Sequence, residues 1–169
     1  MRGDLIPSEY LKRNSNYRDA RGASVRLAKD QSVWPARINP GVNRGYRKGT
    51  LREDGKLARY TGACGPVIYR GNQFPSEYVG NAFVCEPTGN FVRRNILNES
   101  QGAINAVNAY DRMEFLTSTD ERFRPVNAYN GPDGSLYVVD FYRGLIQHRI
   151  YLTSFLRKQI EDRGLYEPI

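Results

Sequence analysis

GNAFVCEPTGNFVRR, residues 80–94, aligns without a gap on GSLYVVDFYRGLIQH, residues 134–148. Gly80 falls on Gly134, Phe83 on Tyr137, Val84 on Val138, Glu86 on Asp140, Phe91 on Leu145 and Val92 on Ile146. Upstream, CGPVIYRG (64–71) matches FRPVNAYNG (123–131), Pro66 on Pro125, once a loop difference of five residues is allowed. Each unit reads as a strand after proline, a glycine-bearing turn, a strand ending in a carboxylate, a second turn and a further strand. One more strand, Ile104–Tyr110 or Met113–Ser118, fits between the units. Four short strands at this spacing suit a β-propeller blade with a modest insertion. A blade cannot bury both faces alone, so several stack in a ring. This chain holds two blades and part of a third, and it reads as a fragment of a larger propeller.

Residues 1–60 are irregular and form a basic segment belonging to a preceding blade. Pro7–Leu11 reads as one helical turn, Ser24–Ala28 and Ser32–Arg37 as short strands, and Ile38–Gly49 as a long loop. Leu51–Ala58 reads as a hairpin, because Asp54-Gly55 supplies the positive φ of a tight turn. The two repeats occupy 61–151, and 152–169 form a C-terminal helix and tail. There Leu152, Phe155, Leu156 and Ile160 recur at helical spacing, with Thr153 as N-cap and Gly164 as the stop. The fold class expected is all-β, a partial propeller with a C-terminal α-helix.

Composition narrows the function classes. The chain has 169 residues, 40% of them hydrophobic and 12% aromatic, which places it among globular chains. Twelve tyrosines against one tryptophan and two methionines favour strand surfaces. No apolar run is long enough to span a membrane, and MRGDLIPSEY carries no signal-peptide core. The net charge of +7 is concentrated in residues 1–60, with 14 basic and 6 acidic side chains. Those cations lie singly among Gly, Asn and Pro with no binding motif, so nucleic acid is not the expected partner. Cys64 and Cys85 form no CxxC pair, and His148 is the one histidine, so neither a zinc site nor a c-type haem attachment is expected in this chain.

The ordered set NPGVNRGY, LREDGKLARYTGACGPVIYRG, GNAFVCEPTGNFVRRN, FLTSTDERFRPV and NGPDGSLYVVDFYRGLIQHRIYLTSFLRKQIEDRG resembles one family. It is that of the large bacterial membrane-bound-dehydrogenase-like proteins, related to sorbosone and glucose dehydrogenases. The resemblance implies a six-bladed propeller, export to the periplasm or cell envelope, and a c-type cytochrome domain beyond this chain. It further implies quinone-type oxidation of a sugar or alcohol, with pyrroloquinoline quinone as cofactor and haem c as electron acceptor. Partners would be the remaining blades and the cytochrome domain. No segment matches the family's catalytic-histidine motif, so no catalytic residue carries over and the isolated chain is expected to be inactive. A non-catalytic propeller scaffold for ligand or protein binding in the cell envelope is the alternative.

Candidate cofactor residues lie where a propeller channel would be lined. Arg124 opens a predicted inner strand and Asn127 follows two residues after Pro125, while Arg70 and Arg143 sit at loop entries. The guanidinium fork suits the carboxylates of the quinone. The competing reading is a surface arginine or a loop brace. Glu86 and Asp140 could position a base or a cation, or accept backbone N–H bonds and pin the next turn. His148 could be a base or axial ligand, but with no visible partner it reads rather as a packed or surface histidine. Cys64 and Cys85 fall at the open end of one predicted hairpin, which would bring them within bridging distance. Export, implied by the resemblance, would supply the oxidising compartment for a disulfide, and two apolar thiols are the alternative.

Overall fold

A computed structural model of the chain describes residues 13, 27–39, 48–100, 103–146, 152 and 154–165. The expected helical turn at Pro7–Leu11, most of the strand at Ser24–Ala28, the cap Thr153 and His148 lie outside these residues. The described architecture is antiparallel β with one short C-terminal helix.

Strands β1 (Cys64–Ile68), β2 (Ala82–Glu86), β3 (Phe91–Ser100) and β4 (Ala103–Asn108) pair in that order as an antiparallel meander. The long β3 is shared along its outer edge. Asn95–Ser100 pair with β4, whereas Phe91 and Val92 pair with the short β5 (Leu116–Thr117). Both strands considered between the repeats are therefore present. A second sheet holds β6 (Pro125–Asn130) and β7 (Leu136–Asp140). The helix α1 covers Ser154–Arg163 and ends as expected. Gly164 takes φ +59°, its N–H donates to the Glu161 carbonyl at 3.3 Å and Leu165 N–H donates to the Ile160 carbonyl at 3.0 Å, so two of the last turn's carbonyls are satisfied.

The two hairpins repeat each other. Gly80 and Gly134 both adopt positive φ, at +81° and +83°, just before the second strand of each. The first strands, however, correspond differently from the sequence match. Phe83 pairs with Val67 and its counterpart Tyr137 pairs with Tyr129. Val67 therefore corresponds to Tyr129, three places beyond the Val126 reached by aligning the prolines. Both first strands carry a register shift close to their proline, between Cys64 and Val67 and between Pro125 and Asn127. Proline lacks the N–H a ladder needs and is accommodated where pairing is interrupted, so a proline marks the interruption without marking the register.

Alternation along β2 assigns its two faces. Phe83 and Cys85 are fully buried, while Ala82 and Val84 are half-buried. The buried face packs with Tyr69 and Val92 against Ala128, Leu136 and Val138 of the second sheet. Phe74, Tyr78 and Phe115 close its rim, with Phe115 edge-on to Phe83 at 5.0 Å. Backbones meet at this seam. A Cβ on Gly65 would lie 2.4 Å from the Cα of Asn127, and one on Gly71 would lie 1.9 Å from the carbonyl oxygen of Gly134.

The basic segment is tied in through a second core of Val33, Leu57 and Phe91. Its hairpin forms at Leu51↔Leu57, with Gly55 at φ +78° as Asp54-Gly55 implies. The expected strand Ser32–Arg37 reduces to one bridge, Ser32↔Arg59. A third cluster, Leu152, Leu156, Ile160 and Leu165 with Leu145, seats α1 beyond the second hairpin.

Candidate functional site

The paired carboxylates are the best-defined polar feature, and they do the same work in each repeat. Glu86 ends β2 fully buried and accepts N–H bonds from Thr61 (3.0 Å), Gly62 (2.9 Å) and Thr88 (3.1 Å). Burial pushes its carboxyl above the ordinary value, against the opposing pull of those backbone donors. Asp140 ends β7 and accepts from Arg124 N–H (2.7 Å) and Tyr142 N–H (2.9 Å). In both hairpins the carboxylate bonds the residue two places on and the segment entering the partner strand. Each is a clasp that closes the open end of its hairpin, the turn-pinning reading of these acids.

Arg124 is buried, and its guanidinium is spent on main chain. Nε donates to the Arg143 carbonyl, one terminal nitrogen to Pro87 and the other to Gly144, each at 2.8 Å. The side chain thus ties the β2–β3 turn to the chain leaving β7. Burial, with a smaller contribution from the positive charge of Arg37, pushes its pKa down to about 10.

The other candidates do not gather around it. Arg143 is exposed, 5.8 Å from the Phe141 ring, and touches Arg124 through its carbonyl. Asn127 donates to the Tyr129 hydroxyl at 2.7 Å, along its own strand. Arg70 is exposed and lies at the far end of β6, where its N–H meets the Asn130 side chain at 2.8 Å. Along the six residues of β6 the Arg70 and Arg124 ends stand roughly 15–20 Å apart at a strand's ~3.3 Å rise per residue. Cys64 and Cys85 are direct cross-strand partners, as the hairpin requires, and both are free thiols. Burial raises both thiols, and Cys85 reaches about 12 with the neighbouring Cys64 contributing.

Among the buried polar groups not singled out from sequence are Tyr69, Asn90 and the Arg93–Glu114 pair. The Tyr69 hydroxyl donates to the Gly134 carbonyl at 2.6 Å and accepts from Gln73 and Phe74 N–H, fastening one hairpin to the other. Asn90, at φ +58°, donates to the Phe123 carbonyl at 2.6 Å and accepts from Arg37 at 3.2 Å. Arg93 and Glu114 form a buried bidentate pair at 2.5 and 2.8 Å. From it Arg93 donates to the Ser32 carbonyl, while Glu114 accepts from Trp34 N–H. Asn90 in PTGN carried a legible signal, since a turn position with positive φ favours Asn or Gly. Tyr69 and Arg93 carried none, because the acceptors they donate to, Gly134 for Tyr69 and Glu114 and Ser32 for Arg93, lie far away in sequence.

The profile of a family described as a domain of unknown function, DUF7133, matches residues 2–167. The chain belongs to the DUF7133 family. No curated protein and no solved structure matches it. Among the described residues of this DUF7133 chain, no three His, Cys, Asp or Glu side chains stand close enough to hold a metal ion. Nor is any described helix long and apolar enough to cross a membrane.

Pyrroloquinoline quinone would need unspent cations converging on one space to meet its carboxylates. In this DUF7133 chain Arg124 is committed to three carbonyls, and Arg70 lies at the opposite end of the hairpin. The described residues do not fit that group.

Proposed function

We propose that this DUF7133 chain comprises successive blades of a partial β-propeller and serves as a non-catalytic scaffold within it. The observation that carries the reading is the repeated clasped hairpin. β1–β2 and β6–β7 share a positive-φ glycine, an interrupted first strand and a terminal carboxylate closing the open end, and one stacks face-on against the other. The meander order β1-β2-β3-β4 is that of a propeller blade, and the near-contact of Gly65 with Asn127 suits first strands crowding towards a common axis. The resemblance to sorbosone and glucose dehydrogenases then concerns the architecture that houses the blades. By the same reading the protein works in the periplasm or cell envelope, beside a c-type cytochrome domain.

Two measurements test this. An experimental structure of the polypeptide should place 64–108 and 125–140 as adjacent blades about a channel, and a closed barrel there would overturn the fold reading. The purified chain, given pyrroloquinoline quinone, calcium, glucose or sorbosone and a dye acceptor, should show no turnover above a blank. Quinone-dependent dye reduction would overturn the scaffold role and restore a catalytic one.

A further inference from the structure

Strand pairing in the first hairpin sets two thiols side by side and gives them unequal access to solvent. Cys64 and Cys85 are direct cross-strand partners between β1 and β2, and both are free. Direct antiparallel partners hold their Cα atoms about 4.5–5.5 Å apart, within the range a disulfide spans. Cys85 is fully buried in the cluster of Tyr69, Phe83, Val92 and Ala128. Cys64 packs against that cluster from its margin and is only half-buried, with exposed Ala63 before it. A dissolved reagent therefore meets Cys64, and Cys85 meets what Cys64 carries. The repeat itself does not require sulfur at this place. The corresponding cross-strand pair in the second hairpin is Asn127↔Val139, and that hairpin is closed by the Asp140 clasp. The first hairpin has both its Glu86 clasp and the thiol pair.

We infer that Cys64 and Cys85 form a thiol–disulfide exchange site for a small-molecule disulfide, with Cys64 as the entry thiol and Cys85 as the resolving thiol. The Cys64 thiolate, its proton given to solvent, attacks one sulfur of the incoming disulfide. A mixed disulfide forms on Cys64 and one small thiolate leaves. Cys85 then gives up its proton and attacks the Cys64 sulfur, so the second small thiolate leaves and the Cys64–Cys85 bond remains. Two protein thiols are oxidised, and one small disulfide is reduced to two thiols. The incoming molecule must be small, because the residue after Cys64 is wedged in the seam between the hairpins. A Cβ on Gly65 would already lie 2.4 Å from the Cα of Asn127, so a disulfide carried on another protein's strand has no room there. Burial holds both thiols protonated, so each step is slow and the mixed disulfide on Cys64 lasts long enough to isolate. The product fastens β1 to β2 at the open end of the hairpin, beside the Glu86 clasp. Only this hairpin takes part, so the exchange is independent of the scaffold role.

The test exposes the whole folded chain to glutathione disulfide, quenches samples with acid over time, and maps the adducts by mass spectrometry. In wild type the first adduct should be one glutathione on Cys64. It should give way to the Cys64–Cys85 bridge, with loss of both alkylatable thiols. Cys85→Ser should stop at the Cys64 adduct. Cys64→Ser should take up no glutathione while folded, and should take it up on Cys85 once unfolded in urea. Thermal melts establish that both variants are folded, and the wild-type time course decides the order without them. A first adduct on Cys85, or two glutathiones retained on one chain, would overturn the inference. So would wild type that keeps both thiols free throughout, or a folded Cys64→Ser that reacts as fast as Cys85→Ser.

Discussion

Gly65 and Gly80 both sit at positive φ, but only one of them is crowded. A Cβ on Gly65 meets the backbone of Asn127, whereas one on Gly80 meets nothing within 4 Å. Gly80→Ala should therefore cost only the left-handed penalty of about 1–2 kcal/mol. Gly65→Ala should cost clearly more, because a strand must move, and urea denaturation of the two variants measures the difference. Glu86 carries a second expectation. Both of its oxygens accept backbone N–H bonds, so Glu86→Gln turns an amide NH2 towards those donors and should lose about 1–3 kcal/mol. The sign with pH follows from its raised pKa. The folded state holds the proton at pH values where the unfolded chain has released it, so this group's stabilisation is fullest below the ordinary value of 4.5 and is lost as pH rises through the folded pKa. Wild type should lose stability relative to Glu86→Gln across that window, and a difference flat with pH would rule out the perturbed carboxyl.

Within the β1–β2 element, register decides what the cysteines can do. Direct antiparallel partners have Cα atoms about 4.5–5.5 Å apart, inside the range a disulfide spans. Mild oxidation of the folded chain should therefore join Cys64 to Cys85 within one molecule, at little cost to the sheet. The reaction should be slow at neutral pH and quicken with rising pH, because both thiols are held protonated by burial and the thiolate is the reactive form. Non-reducing mass spectrometry checks this, and persistence of two alkylatable thiols after oxidation would refute it. The strand pairs themselves were legible from residue alternation. The first-strand register was not, since proline pointed to the interruption and the ladder was anchored by Phe83 and Tyr137.

Across the whole molecule, the basic segment is held by the Arg93–Glu114 pair, which links β3 to residues 32–34. Glu114→Ala would leave a buried guanidinium unpaired and should destabilise by about 3–5 kcal/mol. Hydrogen exchange should locate the loss in residues 32–34 and the adjoining part of β3, and exchange unchanged there would show the pair to be incidental.

Local chemistry made much of this legible before any contact was known. Alternation marked β2 and β7, glycines with positive φ marked Gly55, Gly80, Gly134 and Gly164, and the strand-ending acids Glu86 and Asp140 marked hairpin ends. These follow from backbone sterics and from donors that must be satisfied nearby, so a few adjacent residues carry them. Arg124 shows the limit. Its sequence setting allowed a cofactor ligand, although a surface or bracing arginine was the favoured reading. Only the approach of Pro87, Arg143 and Gly144 made it a brace, because a guanidinium's role depends on which acceptors the rest of the chain brings within reach. The covering of Phe83 and Cys85, and the exposure of their counterparts Tyr137 and Val139, were decided in the same way. Which face of a hairpin is buried depends on what packs against it, and that is set by the tertiary structure.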